Sequence, residues 1–257
     1  HPLLVERARH CAVTLQGKMV LAGGVGKAGS SLELWDPAVG SSGGLVSLFP
    51  ARHSASCAVA KDPVSESPTV FIAGGESANA TVNTVNLFAY VDGQLQSKGT
   101  LTMPSGSASQ MVLHASDQPF QVVVAGGFGL SDGGQPLGDV FRHWLSTHGP
   151  SVGWKKIASL SSARGCAAGV EVNGKLVLAG GMGQSGEPLS SVDIIDLQQE
   201  GKSLLKVSLP LPRAGAVAVP LDNGVVLVGG GVQLQDGVAA AGQGLYWFLP
   251  TLDPNEP

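Results

Sequence analysis

Four arginines stand at corresponding places in this sequence. Arg9, Arg52, Arg164 and Arg213 each open a run of small residues, and His10 and His53 follow two of them. A guanidinium presents donors in a rigid fork that fits a carboxylate through two parallel bonds, so such a set could grip an acidic group. A second set follows a recurrent double glycine and comprises Val25, Glu76, Phe128, Met182 and Gly231, with Asp132 and Gln184 further along the same segments. Phe128 and Met182 read as apolar anchors on a polar rim. An arginine repeated at one position more simply bonds backbone carbonyls or a carboxylate of a neighbouring element. Structural and ligand-binding roles therefore both stay open for these four. His10 and His53 read more simply as packing or loop-bonding residues.

Metal and thiol chemistry find little support. Cys11, Cys57 and Cys166 are odd in number, lie in separate segments and form no CxxC or Cys/His spacing. Neither a zinc site nor a disulfide scaffold is expected. Unpaired thiols, with no signal peptide in view, lean slightly toward a cytoplasmic setting. His143 and His148 lack a third ligand nearby, and no metal or cofactor is expected. The first residue is His rather than Met, which points to a processed chain. Asn79-Ala80-Thr81 is a glycosylation sequon that matters only if the chain is secreted.

The elements that position these residues are short strands. Four apolar residues run into a double glycine at Leu176–Gly181, and the pattern recurs at Val20–Gly24, Val70–Gly75, Val122–Gly127 and Val225–Gly230. The paired glycines are Gly23 and Gly24, Gly74 and Gly75, Gly126 and Gly127, Gly180 and Gly181, and Gly229 and Gly230, in steps of 51, 52, 54 and 49 residues. Each period holds four strands, a to d. Strand a is built of small residues and starts at the arginine (at Ser105 in the third period), and strand b ends in the double glycine. Four antiparallel strands per period of about 50 residues, five times over, predict an all-β propeller. Small residues suit strand a because innermost strands converge on a central channel.

Composition agrees. Hydrophobic residues make up 43% and charged residues 13% of the 257, with 37 glycines and 16 prolines; charged residues usually approach about 25%. The net charge of -4 and the absence of any Lys/Arg cluster disfavour nucleic acid. No apolar run is long enough to suggest a membrane span.

The arginine before strand a, the apolar run into Gly-Gly, the Asp turn after strand c and Trp154 in strand d together resemble the kelch repeat over roughly residues 3 to 249. The Tyr usual in strand c is mostly replaced. The resemblance implies a five-bladed ring in one domain, 1–250, followed by a tail, 251–257. Blades are expected at about 9–48, 52–98, 105–158, 164–208 and 213–249. The last blade lacks a strand d, which residues 3–5 are expected to supply, closing the ring; a sixth blade outside this sequence is the alternative.

In kelch propellers the d–a and b–c loops share the face that typically binds a partner. The resemblance thus points to a non-catalytic interaction module for a protein or acidic peptide. Contacts are expected at Arg9, His10, Arg52, His53, Arg164 and Arg213, and at Val25, Glu76, Phe128, Asp132, Met182 and Gln184. The copper chemistry of galactose-oxidase-like kelch enzymes needs Tyr, Cys and His ligands, and Tyr90 and Tyr246 lie away from the channel. The iron site of nitrile-specifier proteins is not matched either, since Glu187 and Asp193 lack a His. A carbohydrate-active propeller, enzyme or lectin, is the alternative function, because Arg52, His53 and Glu76 could converge at the mouth. A structural subunit of a larger assembly is the third. Oligomeric state is not readable.

Overall fold

The computed structural model describes residues 3–78, 80–104, 111–117, 120–129, 134–145, 153–199, 203–235 and 237–250. The chain is an all-β, five-bladed propeller. Blade one comprises strands a Cys11–Leu15, b Lys18–Ala22, c Ser31–Asp36 and d Ser41–Ser47. Blade two follows with Ser56–Lys61, Pro68–Ala73, Thr84–Val91 and Gln94–Thr102. Blade three has Val112–Asp117, Phe120–Ala125, Asp139–Trp144 and Trp154–Ser159. Blade four has Ala168–Val172, Lys175–Ala179, Ser191–Asp196 and Ser203–Ser208. Blade five shows strands a Val217–Pro220, b Val226–Gly229 and c Leu245–Phe248. Within each blade, strands pair antiparallel in chain order.

Strand b carries apolar side chains on both faces because both are covered. Alternate residues go to opposite neighbours, as the two-residue period of a strand requires. Val70 and Ile72 pack on blade one with Val20, Ala22 and Leu32. Phe71 and Ala73 pack on blade three with Val122 and Val124. Val123 and Ala125 meet Leu176 and Leu178 of blade four, and Val177 and Ala179 meet Val226 and Val228 of blade five. Each fully buried Val, Leu, Ile or Phe among them stabilises the fold by about 1.5–3 kcal/mol, and each alanine by less. Strand a is small-residued for the reason its position suggests: a Cβ on Gly169 would collide with Val112 in the strand a next door.

The double glycine and the arginine are two halves of one joint. Gly23, Gly126 and Gly180 adopt φ of 67°, 63° and 64°. A Cβ there would strike the carbonyl oxygen of Arg52, Arg164 or Arg213 respectively, each from the following blade. The next glycine donates its N–H to that same carbonyl, Gly24 to Arg52 at 2.9 Å, Gly127 to Arg164 and Gly181 to Arg213 at 2.8 Å. Glycine is required both for the left-handed backbone and for the close approach.

Three expectations are corrected here. In blade five the joint is Gly230-Gly231, not Gly229-Gly230. Gly230 and Gly231 hold φ of 69° and 83°, while Gly229 is the last residue of strand b. Residues 3–5 do not form a strand, and blade five is three-stranded among the described residues. The N-terminal segment instead lies on blade one, where the Leu4 amide donates to Glu33 Oε1 at 2.8 Å. Finally, Cys11 and Cys57 are joined by a disulfide with Cα atoms 5.7 Å apart, tying strand a of blade one to strand a of blade two. Cys166 stands outside that disulfide, and with two of the three thiols joined the cysteines no longer support a cytoplasmic setting.

Candidate functional site

The repeated arginines divide into two groups with opposite work. Arg52, Arg164 and Arg213 are fully buried, and strand a begins four residues after each. Arg52 Nη1 donates to the carbonyls of Gly74 and Thr84, Arg164 Nη1 to those of Gly180 and Ser191, and Arg213 Nη1 to that of Gly230. Strand c supplies a second partner. Asn86 Oδ1 accepts from Arg52 at 2.6 Å, Asp193 Oδ2 lies 2.7 Å from Arg164, and in blade five the Tyr246 ring sits 4.5 Å from the Arg213 guanidinium as a cation–π partner. Burial without an acidic partner pushes the Arg52 pKa down to about 10. These three are structural cross-ties.

The equivalent tie in blade one is Arg7, which sequence inspection passes over. It stands four residues before strand a, donates to the carbonyls of Gly23 and Ser31 and pairs with Glu33, with both side chains fully covered. Spacing could have found it. Arg164, Arg213 and Arg7 lie 16, 17 and 16 residues from the glycine carbonyl they bind, Arg52 lies 22 away across a longer a–b turn, and counted from Arg9 the interval would be 14.

Arg9 therefore occupies a different position, that of Ser54, Cys166 and Gly215. All four are left-handed, with φ of 56°, 54°, 53° and 65°. They stitch adjacent blades: Ser54 donates its N–H to Arg9 O at 2.7 Å, and Gly215 to Cys166 O at 2.8 Å. Three of these side chains are small or absent. Arg9 projects a cation that is 50% exposed and 3.6 Å from Glu76 Oε1. The other carboxylate oxygen of Glu76 is 4.0 Å from His53 Nδ1, and His53 and Glu76 exchange backbone hydrogen bonds at 3.1 and 2.9 Å. His53 Nδ1 also lies 3.1 Å from Ser54 Oγ. Burial raises the Cys166 thiol pKa, the Arg9 charge pulls it down and the Glu76 charge pushes it up. Blades one and two thus contribute to one ionic cluster at the loop face.

The remaining candidates surround it unevenly. His10 is half-buried, and burial, reinforced by Arg7, lowers its pKa. Val25 is exposed, with its N–H on Ala8 O at 2.9 Å. Phe128 covers Gly165 of the next blade, where a Cβ would run into its ring. Met182, half-buried, bridges Gly165 and Pro188, and Gln184 is exposed at the loop tip. Asp132 and Ser105 lie outside the described residues. A cleft of about 220 Å³ opens between blades four and five, lined by Glu187, Pro188, Leu211, Pro212, Gln233 and Leu234. Among the described residues no group of His, Cys, Asp and Glu could hold a metal ion.

No protein-family model matches the chain, and no curated protein matches it. Among solved structures, that of YjhT aligns over 91% of this chain and 84% of its own, with a TM-score of 0.67 at 15% identity. Fold and site together define a β-propeller with an ionic cluster on its loop face; at that identity, YjhT is a relative in fold.

Proposed function

We propose that this propeller is a non-catalytic interaction module that binds a segment of a partner protein over the Arg9, Glu76 and His53 cluster. One observation carries this: Arg9 is half-exposed and held by a single long ion pair, while the arginines at the repeat position are consumed by the scaffold. A carboxylate of the partner segment competes with Glu76 for that guanidinium, a charge-assisted bond of the stronger kind. Phe128 and Met182, seated around Gly165, give the segment apolar footing. An acidic group is gripped by one arginine rather than by a ring of four. Affinity capture from source extract should lose at least ten-fold of the bound partner on Arg9→Ala, with the melting temperature unmoved. Undiminished capture by that variant would place the partner elsewhere.

A carbohydrate-active propeller is the second reading, and the Glu76–His53 pair favours it, because a carboxylate and an imidazole side by side can exchange a proton with a hydroxylated ligand. A glycan-binding and turnover screen separates the two. Turnover that Glu76→Gln abolishes supports the second, and no glycan binding supports the first.

A further inference from the structure

Blade five keeps one face packed and leaves the other bare. Ala216, Ala218, Val226, Val228 and Phe248 meet blade four. In register with one another on the opposite face stand Val217, Val219, Leu245 and Trp247, exposed by 66%, 49%, 65% and 69%. No residue of strands a, b or c in this blade is charged. Blade one mirrors this at the other side of the seam, where Ala12, Thr14, Met19 and Leu45 are exposed. Hydrophobic clusters join blades one to two, two to three, three to four and four to five; among the described residues none joins five to one.

The glycine joint reports the same thing independently. A Cβ on Gly126 would meet the next blade's arginine carbonyl at 2.5 Å, and Gly23 and Gly180 are equally blocked, whereas at Gly230 nothing lies within 4 Å. Blade five is built to receive an arginine carbonyl from a following blade, and Arg7 of blade one does not supply it.

We propose that a sixth four-stranded sheet, carried by the same polypeptide outside residues 1–257, fills the seam between blades five and one. Its inner loop would seat an arginine carbonyl on Gly230 and Gly231. One of its faces would cover Val217, Val219, Leu245 and Trp247, continuing an interface the molecule already makes four times. A second copy is the weaker occupant. Twofold pairing would set two blade-five faces together with no arginine between them, and pairing blade five on blade one would run on into filaments.

The test compares protein isolated from its source with the 257-residue chain. The source polypeptide is expected to be longer by at least one period, about 50 residues, and monomeric. Iodide quenching of the Trp247 contribution, taken as the difference from Trp247→Phe, should be lost in it and strong in the 257-residue chain. A source polypeptide of 257 residues would overturn the proposal, whether monomeric with Trp247 quenched or a dimer that protects it. So would a longer one whose Trp247 remains as quenchable as in the 257-residue chain.

Discussion

Arg7 and Arg9 are the same residue type two positions apart, and backbone geometry alone separates their roles. The residue four before strand a turns its guanidinium into the blade; the left-handed residue two later turns its own toward the channel mouth. The glycine joint makes the contrast measurable. Gly126→Ala suffers both the left-handed strain of about 1–2 kcal/mol and a collision with Arg164 O, while Gly230→Ala at φ 69° meets only the strain. Urea unfolding should show the first variant losing at least twice as much stability as the second, and equal losses would mean that the arginine carbonyl is not what demands glycine. Sequence showed that a joint exists but not its register. Arg7-Ala8-Arg9 offers two arginines and Gly229-Gly230-Gly231 offers three glycines, and only the hydrogen bonds choose between them. Ser54 and Cys166 were invisible as channel residues because their position is defined by a positive φ, which side-chain type does not encode.

Strands were the most legible feature, because apolar runs, turn glycines and a fixed period all report them. Pairings between distant strands were not. Cys11 and Cys57 are 46 residues apart in different periods, and nothing local marks them as partners; they meet because neighbouring strands a run side by side at the channel. A cross-link closing a loop of that length typically contributes about 2–4 kcal/mol. Reduction, or Cys11→Ser, should lower the melting temperature accordingly, and identical melting with and without reductant would show the bond to be energetically idle. The closing strand expected at 3–5 failed for a related reason. Its apolar residues carry no address, and the buried Glu33 of blade one draws both the Leu4 amide and Arg7 to itself.

At the scale of the whole molecule, the acid response follows from imidazoles the fold covers. Burial lowers the pKa of His10, with Arg7 adding to it, and of His143; for His114 burial again leads, with Glu171 opposing and Arg142 assisting. A depressed folded pKa means the neutral ring is favoured by folding. That stability is complete above the unfolded value of about 6.5 and lost as pH falls below it. Melting temperature should therefore hold from pH 7.5 to 7 and decline from 6.5 toward 5, less steeply in His114→Gln. A flat profile would mean these rings are hydrated. The five-fold architecture was legible in the period, whereas the seam was not, since two bare faces among ten have no signature in a sequence whose strands are apolar on both sides.

Because Arg52, Arg164 and Arg213 each seat the carbonyl on the preceding blade's glycines and the guanidinium on their own, the sheet is not the interchangeable part. The module runs from one arginine to the residue before the next, each carrying a plug at its start and a socket further along, at the end of strand b. Such parts add head to tail without redesign, and a ring assembled from them has its copy number set by when the last socket meets a plug.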